Sequence, residues 1–359
     1  MIFVQVVVGG ITRLTGSGLS ITRWEIVTGA FPPLNAGQWE EAFAMYKATP
    51  QYAKINEGMS MEAFRFIYFW EYIHRLWARL MGFVFILPLA YFLWKGRLRP
   101  PLLRRLGVVF LLASLAASFG WIMVASGLVD RPWVNAYKLT VHLSIGVALF
   151  GFLFWTAIHV WLPVPAVIHN KLLKKGTWVI FIMLSLQIVL GGMMSGMKAA
   201  LFYPTWPDMH GAFLPAVLLD PAMWSVENLV HYDSSPFMAA LVQVAHRCIA
   251  YVLTIIILWF SYRALKIARS PHFRLGIYLL AGLLVTQVSL GILTLVHAVG
   301  VVPVGLGVLH QAVALLLLAD VVFLRYLALS PGPESRVENH VEKGRGQTSG
   351  TAFYTFRKP

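Results

Sequence analysis

Glu71, His74 and Arg75 fall within one five-residue stretch, EYIHR, of the strongly apolar segment FRFIYFWEYIHRLWARLMGFVFILPLAYFLW. A carboxylate, an imidazole and a guanidinium are the groups of proton transfer, metal ligation and anion binding. At membrane depth each costs several kcal/mol, so such groups mark a functional site by default. The competing reading is a helix end at the lipid surface with its polar groups snorkelling outward. A single stretch does not choose between them, so the elements that would hold these residues have to be read first.

Hydrophobic residues make up 58% of the 359 and charged residues 12%, against about a quarter charged in soluble domains. With a mean hydropathy of +0.70, this is the composition of a polytopic membrane protein. Low-charge apolar runs occupy 64–94, 106–129, 137–162, 177–195, 239–262, 275–297 and 305–329. An eighth run, 1–11, is too short to cross a core of roughly 30 Å at about 1.5 Å per residue. It lacks the basic start and cleavage site of a signal peptide and reads as the outer half of a helix that begins upstream of Met1. The expectation is an all-α protein of eight transmembrane helices, the first truncated.

The net charge of +14 does not indicate a nucleic-acid partner, because of where the charge lies. Basic residues cluster in three short loops: Lys95, Arg97, Arg99, Arg104 and Arg105; Lys171, Lys174 and Lys175; and Arg263, Lys266, Arg269 and Arg274. The positive-inside rule makes these loops cytoplasmic, with 12–63 and 196–238 outside and both termini inside. The polar tail 330–359 is expected to be disordered. The single cysteine, Cys248, rules out an intramolecular disulfide and any CxxC or CxxCH site.

The chain also repeats itself. Laying 5–33 over 187–215 without a gap pairs Gln5, Val7, Gly9, Gly10, Leu19, Trp24, Gly29, Ala30, Phe31 and Pro33 with identical residues. EYIHR (71–75) then aligns with QVAHR (243–247), the third helices share Leu-Gly openings and mid-helix glycines Gly120 and Gly291, and the fourth helices carry His142 and His310. Two four-helix halves follow, 1–165 and 176–329, as parallel repeats about an axis along the membrane normal.

Of eleven histidines, His74, His142, His246 and His310 fall near the outer membrane boundary, one pair per half, and the last three are expected within about two turns of a helix start. A lone buried histidine more often serves a helix-to-helix hydrogen bond. Pairs at matching repeat positions instead point to two bis-histidine haem sites, each iron held between facing imidazoles. Zinc is disfavoured, since neither half offers a clear third ligand. His297 lies thirteen residues before His310, but Gly300 and Pro303 interrupt the helix, so it reads as a loop group. Arg75 and Arg247, each following a histidine, are candidates for the haem propionates, as are Arg13, Arg79 and Lys138. One difference separates the halves: Glu71 aligns with Gln243. Glutamine keeps the shape but cannot take a proton, so the amino-terminal half reads as reactive and the carboxyl-terminal half as a carrier.

GGITRLTGSGLSITRW, the segment from Pro33 to Tyr46, FWEYIHRLWAR, ASFGWIMVASGL and LHQAVALLL resemble the haem A synthase family over about residues 4–329. The resemblance implies an eight-helix enzyme of the bacterial plasma membrane or mitochondrial inner membrane. It would oxidise a ring methyl of haem O to a formyl group, by way of an alcohol, for cytochrome oxidase assembly. It places a haem b on His246 and His310 and the reacting haem O at Glu71, His74 and His142. The implied partners are haem O, the haem O synthase that supplies it, membrane lipid and an unidentified electron acceptor or donor; a homo-oligomer is left open. The chain departs from the family in its short first helix, in lacking one branch's outer-loop cysteine pair, in Ala116 where glutamine is expected (Gln287 is present in the second half), and in its tail. Two rivals stay open: a dihaem electron-transfer cytochrome and a haem or quinone transporter.

Overall fold

A computed structural model describes residues 1–23, 31–127, 132–162 and 170–329. The tail 330–359, His169, and Trp24, Gly29 and Ala30 of the repeat lie outside the described residues. The helices in chain order are α1 (Ile2–Leu14), α2 (Ala36–Lys47), α3 (Pro50–Ile55), α4 (Met61–Trp94), α5 (Pro100–Gly127), α6 (Ala136–Trp161), α7 (Lys171–Gly196), α8 (Val226–Val230), α9 (Phe237–Ile267), α10 (Pro271–Val296) and α11 (Val304–Leu329). Among the described residues seven helices are long and apolar enough to cross a membrane, and α1 is a shorter apolar helix. Each long helix contains one of the seven apolar runs apart from a few terminal residues, because within lipid a helix satisfies every backbone N–H and C=O internally.

The ends of these helices are written in polar residues. Asn135 accepts from the N–H groups of Tyr137 and Lys138 to start α6, and Asn170 accepts from Leu172 and Leu173 to start α7. Ser60 caps α4, and Ser270 followed by Pro271 opens α10. These side chains supply partners to N–H groups that a helix start leaves unpaired.

Helices α1, α4, α5 and α6 are linked through α1–α4, α1–α6 and α5–α6, and α7, α9, α10 and α11 through α7–α9, α7–α11, α9–α10 and α10–α11, with α6–α7 and α1–α11 packing as closely between the two groups. The groups meet along α1, α6, α7 and α11, where small residues let backbones approach. A Cβ on Gly196 would lie 2.7 Å from Ala136, and one on Gly10 would lie 2.8 Å from Gln311 Oε1. Arg13 crosses this seam, donating to the carbonyls of Ser195 (2.8 Å) and Gly196 (3.0 Å). A cation there meets the negative end of the α7 dipole, which occupies one guanidinium nitrogen of a side chain first considered for haem propionates.

Packing is uneven between the groups. Helices α9 and α10 pack along each other, and Ile257, Phe260, Phe273, Ile277, Leu280, Leu315 and Leu324 build a continuous buried core. In the first group α4 packs along α1, whereas α4 and α5 barely touch. The α4 residues after Glu71 are all at least partly exposed. At the end of the bundle that carries α2, α3 and α8, each group has its own cap: Phe43, Tyr46, Phe64 and Ile67 over the first, and Met197, Leu218, Tyr232 and Phe237 over the second.

Candidate functional site

The four histidines stand on four helices, and each ring lies against a glycine of a neighbouring helix. His74 of α4 meets Gly9 of α1, where an added Cβ would be 3.0 Å from the ring. His142 of α6 meets Gly120 of α5 at 3.1 Å, His246 of α9 meets Gly191 of α7 at 3.6 Å, and His310 of α11 meets Gly291 of α10 at 2.9 Å. A side chain at Gly9, Gly120 or Gly291 would push the ring aside. His246 starts one turn deeper than read from sequence, at the tenth residue of α9.

By repeat half the rings fall in two pairs, His74 of α4 with His142 of α6 and His246 of α9 with His310 of α11. His142 Nδ1 lies 2.9 Å from the Ala116 carbonyl, and His310 Nδ1 lies 3.1 Å from that of Gln287. A carbonyl only accepts, so both Nδ1 atoms carry the proton and both Nε2 atoms present a lone pair. That is the tautomer a metal-ligating histidine needs. The partners in each pair are held by glutamine amides. Gln187 Nε2 lies 3.2 Å from His246 Nε2 and donates to the His246 carbonyl at 3.0 Å. Gln5 Nε2 lies 3.2 Å from His74 Nδ1 and donates to the His74 carbonyl at 3.2 Å.

Glu71 is 2% exposed. Its Oε2 accepts from the Ser20 hydroxyl (2.7 Å) and the Ile21 N–H (2.8 Å), while Oε1 pairs with Arg75. The carboxylate thus bonds to the outer loop and to Arg75, and not to the imidazole one turn along α4. At the matching position Gln243 donates to the Tyr203 carbonyl at 2.9 Å, and its own Oε1 is buried without a partner among the described residues. The loops after α1 and α7 are therefore built for opposite polarities, one offering N–H and O–H groups and the other a carbonyl.

Arg75 reaches the carbonyls of Ile21 (3.0 Å) and Arg23 (3.1 Å). Arg247 reaches those of Tyr203, Thr205, Pro207 and Asp208, the shortest at 2.7 Å. Arg247 Nε is buried with no partner among the described residues. In the connection between α7 and α9, Asp208 has its carboxyl held below the usual range, first by the Thr205 hydroxyl and then by the Gly211 N–H. His297 caps the end of α10, exposed, with its Nδ1 on the Leu293 carbonyl.

Residues 1–322 match the COX15-CtaA family, described as cytochrome oxidase assembly protein. The chain belongs to this family. A relative from Nitrosospira multiformis described as heme A synthase is 40% identical over 331 residues, covering 91% of this chain and 90% of that protein. One from Methylobacterium sp. with the same description is 43% identical over 327 residues, 89% and 86% of the two chains. A third, from Flavobacterium psychrophilum, is 36% identical over 329 residues, 90% and 93%.

Against this family background, the residues that sequence reading passed over are the side chains around the imidazoles. Gln5, Gln187, Gly9 and Gly191 were visible as repeat identities, and Gly120 and Gly291 as mid-helix glycines, yet nothing in their spacing alone said that each faces a histidine of another helix.

Proposed function

We propose that this chain is a haem A synthase, oxidising a ring methyl of haem O to a formyl group for cytochrome oxidase assembly. The observation that carries the reading is the doubled histidine pair, each ring seated on a glycine, with a carboxylate beside only one of the pairs. The reading takes 1–165 as the substrate half and 176–329 as the cofactor half.

In the second half, His246 and His310 would hold a haem b, which supplies one-electron redox chemistry when bound. The residues fit such a group. The His310 tautomer is set for iron, Gly291 and Gly191 make room beside the rings, and Arg247 keeps a buried donor unpaired. That donor supports Arg247 as a propionate anchor, and Arg75 is proposed for the same role in the first half.

In the first half, His74 and His142 position the iron of the substrate. Glu71 acts as general base toward water or faces positive charge developing at the methyl carbon. A carboxylate offers about four lone-pair sites, and the described residues engage three of them. The remaining site on Oε1 is the one available for a proton. Electrons would pass to or from the second half, according to the outside acceptor or donor that serves it. A haem O synthase would supply the substrate, and a homo-oligomer is compatible with the exposed apolar helix faces. The basic loops orient the chain with both termini cytoplasmic or matrix-side, in a bacterial plasma membrane or a mitochondrial inner membrane.

The test is extraction and mass identification of the haems from protein produced in cells that make haem O. Haem b together with haem O or haem A is expected. Two equivalents of haem b and no haem A formation would make it an electron-transfer cytochrome.

Arg247→Leu is expected to weaken haem b retention, with Arg247→Lys only partly tolerated because it lacks the planar fork. Haem b per protein, read from the reduced spectrum, checks this. Full occupancy in Arg247→Leu would leave the arginine as a clamp on the outer loop alone.

A further inference from the structure

Along the helices that face the histidines one pattern occurs three times. Gln5 precedes Gly9 by four residues on α1, Gln187 precedes Gly191 by four on α7, and Gln287 precedes Gly291 by four on α10. Four residues apart on a helix is one face. In each case the glycine makes room for an imidazole and the glutamine one turn away lays its amide nitrogen on the same ring, at 3.2 Å for His74 and His246 and 3.3 Å for His310. The fourth position breaks the pattern: Ala116 precedes Gly120, and only its backbone carbonyl reaches His142.

The amides leave a consistent residue of unpaired atoms. Gln5 Oε1, Gln187 Oε1 and Gln287 Oε1 are all buried without a hydrogen-bond partner among the described residues, and so is His246 Nδ1. An amide oxygen and a ring nitrogen left unpaired in one buried site are costly. At His310 the Gln287 carbonyl already takes the Nδ1 proton. At His246 no backbone carbonyl among the described residues does so, and Gln187 is the polar side chain within hydrogen-bond reach of the ring.

We infer that Gln187 is the positioning residue for His246, and Gln5 its counterpart for His74, each amide oxygen accepting the Nδ1 proton when Nε2 is given to iron. Without iron the same amide donates its N–H to the ring and keeps the imidazole from turning away. Pairing the two orphans at His246 takes two movements: the amide turns over and shifts from Nε2 to Nδ1–H, giving up its bond to the His246 carbonyl and freeing Nε2. A hydrogen bond to Nδ1–H fixes ring orientation and raises ligand basicity. The inference rests on the reading that His246 and His310 hold haem b.

The test is the midpoint potential and low-spin spectrum of the haem b in purified Gln187→Leu and Gln187→Glu. Leucine keeps approximate volume and removes the acceptor, so the imidazole becomes a weaker donor to ferric iron and the potential shifts positive. Glutamate supplies a stronger acceptor, and the potential shifts negative. A packing role would change haem content or thermal stability without opposite shifts from two residues of similar size. Wild-type potentials in both variants at full haem b content would overturn the inference while leaving the haem b site standing. Retention of haem b in His246→Ala would instead remove the haem b assignment, and this inference with it.

Discussion

Glu71→Gln is expected to lower the haem A formed per folded protein by at least about tenfold, the low side of what a positioned acid or base supplies. The substitution removes the carboxylate that distinguishes the first histidine pair from the second. Sequence alone suggests that glutamine is tolerated there, since Gln243 occupies the matching position. The local structure qualifies this. Gln243 donates to a carbonyl, whereas the loop over Glu71 presents the Ser20 hydroxyl and the Ile21 N–H. A glutamine at 71 can still accept from Ile21, but its amide N–H2 then opposes Arg75. Some loosening of the outer loop is therefore expected together with the loss of product. On the proposed assignment, haem b in the second half gives an independent measure of folded protein. Haem O or its alcohol accumulating beside normal haem b supports a chemical role. Haem A falling only in step with haem b would make Glu71 a structural counter-ion, and unchanged turnover would remove it from the chemistry.

His246→Ala or His310→Ala should strip most low-spin haem b from the purified protein. On the proposed reading each ring is half of an axial pair, and alanine removes a ligand. The corresponding variants His74→Ala and His142→Ala should spare haem b and deplete haem O instead. Extracted haem quantified by mass in all four variants separates the halves. Haem b retained with a wild-type spectrum in both His246→Ala and His310→Ala would sink the assignment.

The membrane helices were legible in the sequence because lipid makes a single demand on twenty or so consecutive residues. Each of the seven long helices contains one apolar run, usually extended by a turn at one or both ends, where interfacial residues such as Lys171–Lys174 and Arg104–Arg105 still pair their backbones. The family was legible too, since GGITRLTGSGLSITRW and FWEYIHRLWAR are dense in chemistry-bearing residues. What periodicity could not reveal is which side chains meet across helices. Gln187 and His246 are fifty-nine residues apart, and their contact depends on the crossing of α7 with α9. Arg13 shows the same limit from the other side. Its position near the outer boundary suggested an anion, whereas two helix-end carbonyls across the seam hold its terminal nitrogen.

The loose junction of α4 and α5 bears on residence time. A prosthetic group has to stay for the life of the protein, while a substrate has to enter and its product leave at every turnover. In the second half α9, α10 and α11 are joined by a continuous core built from Leu253, Ile257, Ile277, Leu284 and Leu315, so parting those helices breaks many contacts. The first half has one side where two helices scarcely touch, and opening it breaks few contacts, as expected of elements drawn from the low-stability end of a fold. Haem bound between α4 and α6 is accordingly expected to exchange with added haem in detergent faster than haem bound between α9 and α11. One duplicated scaffold would thus supply both a slow-release holder and a fast-exchange site, differing less in their ligands than in how tightly the surrounding helices close.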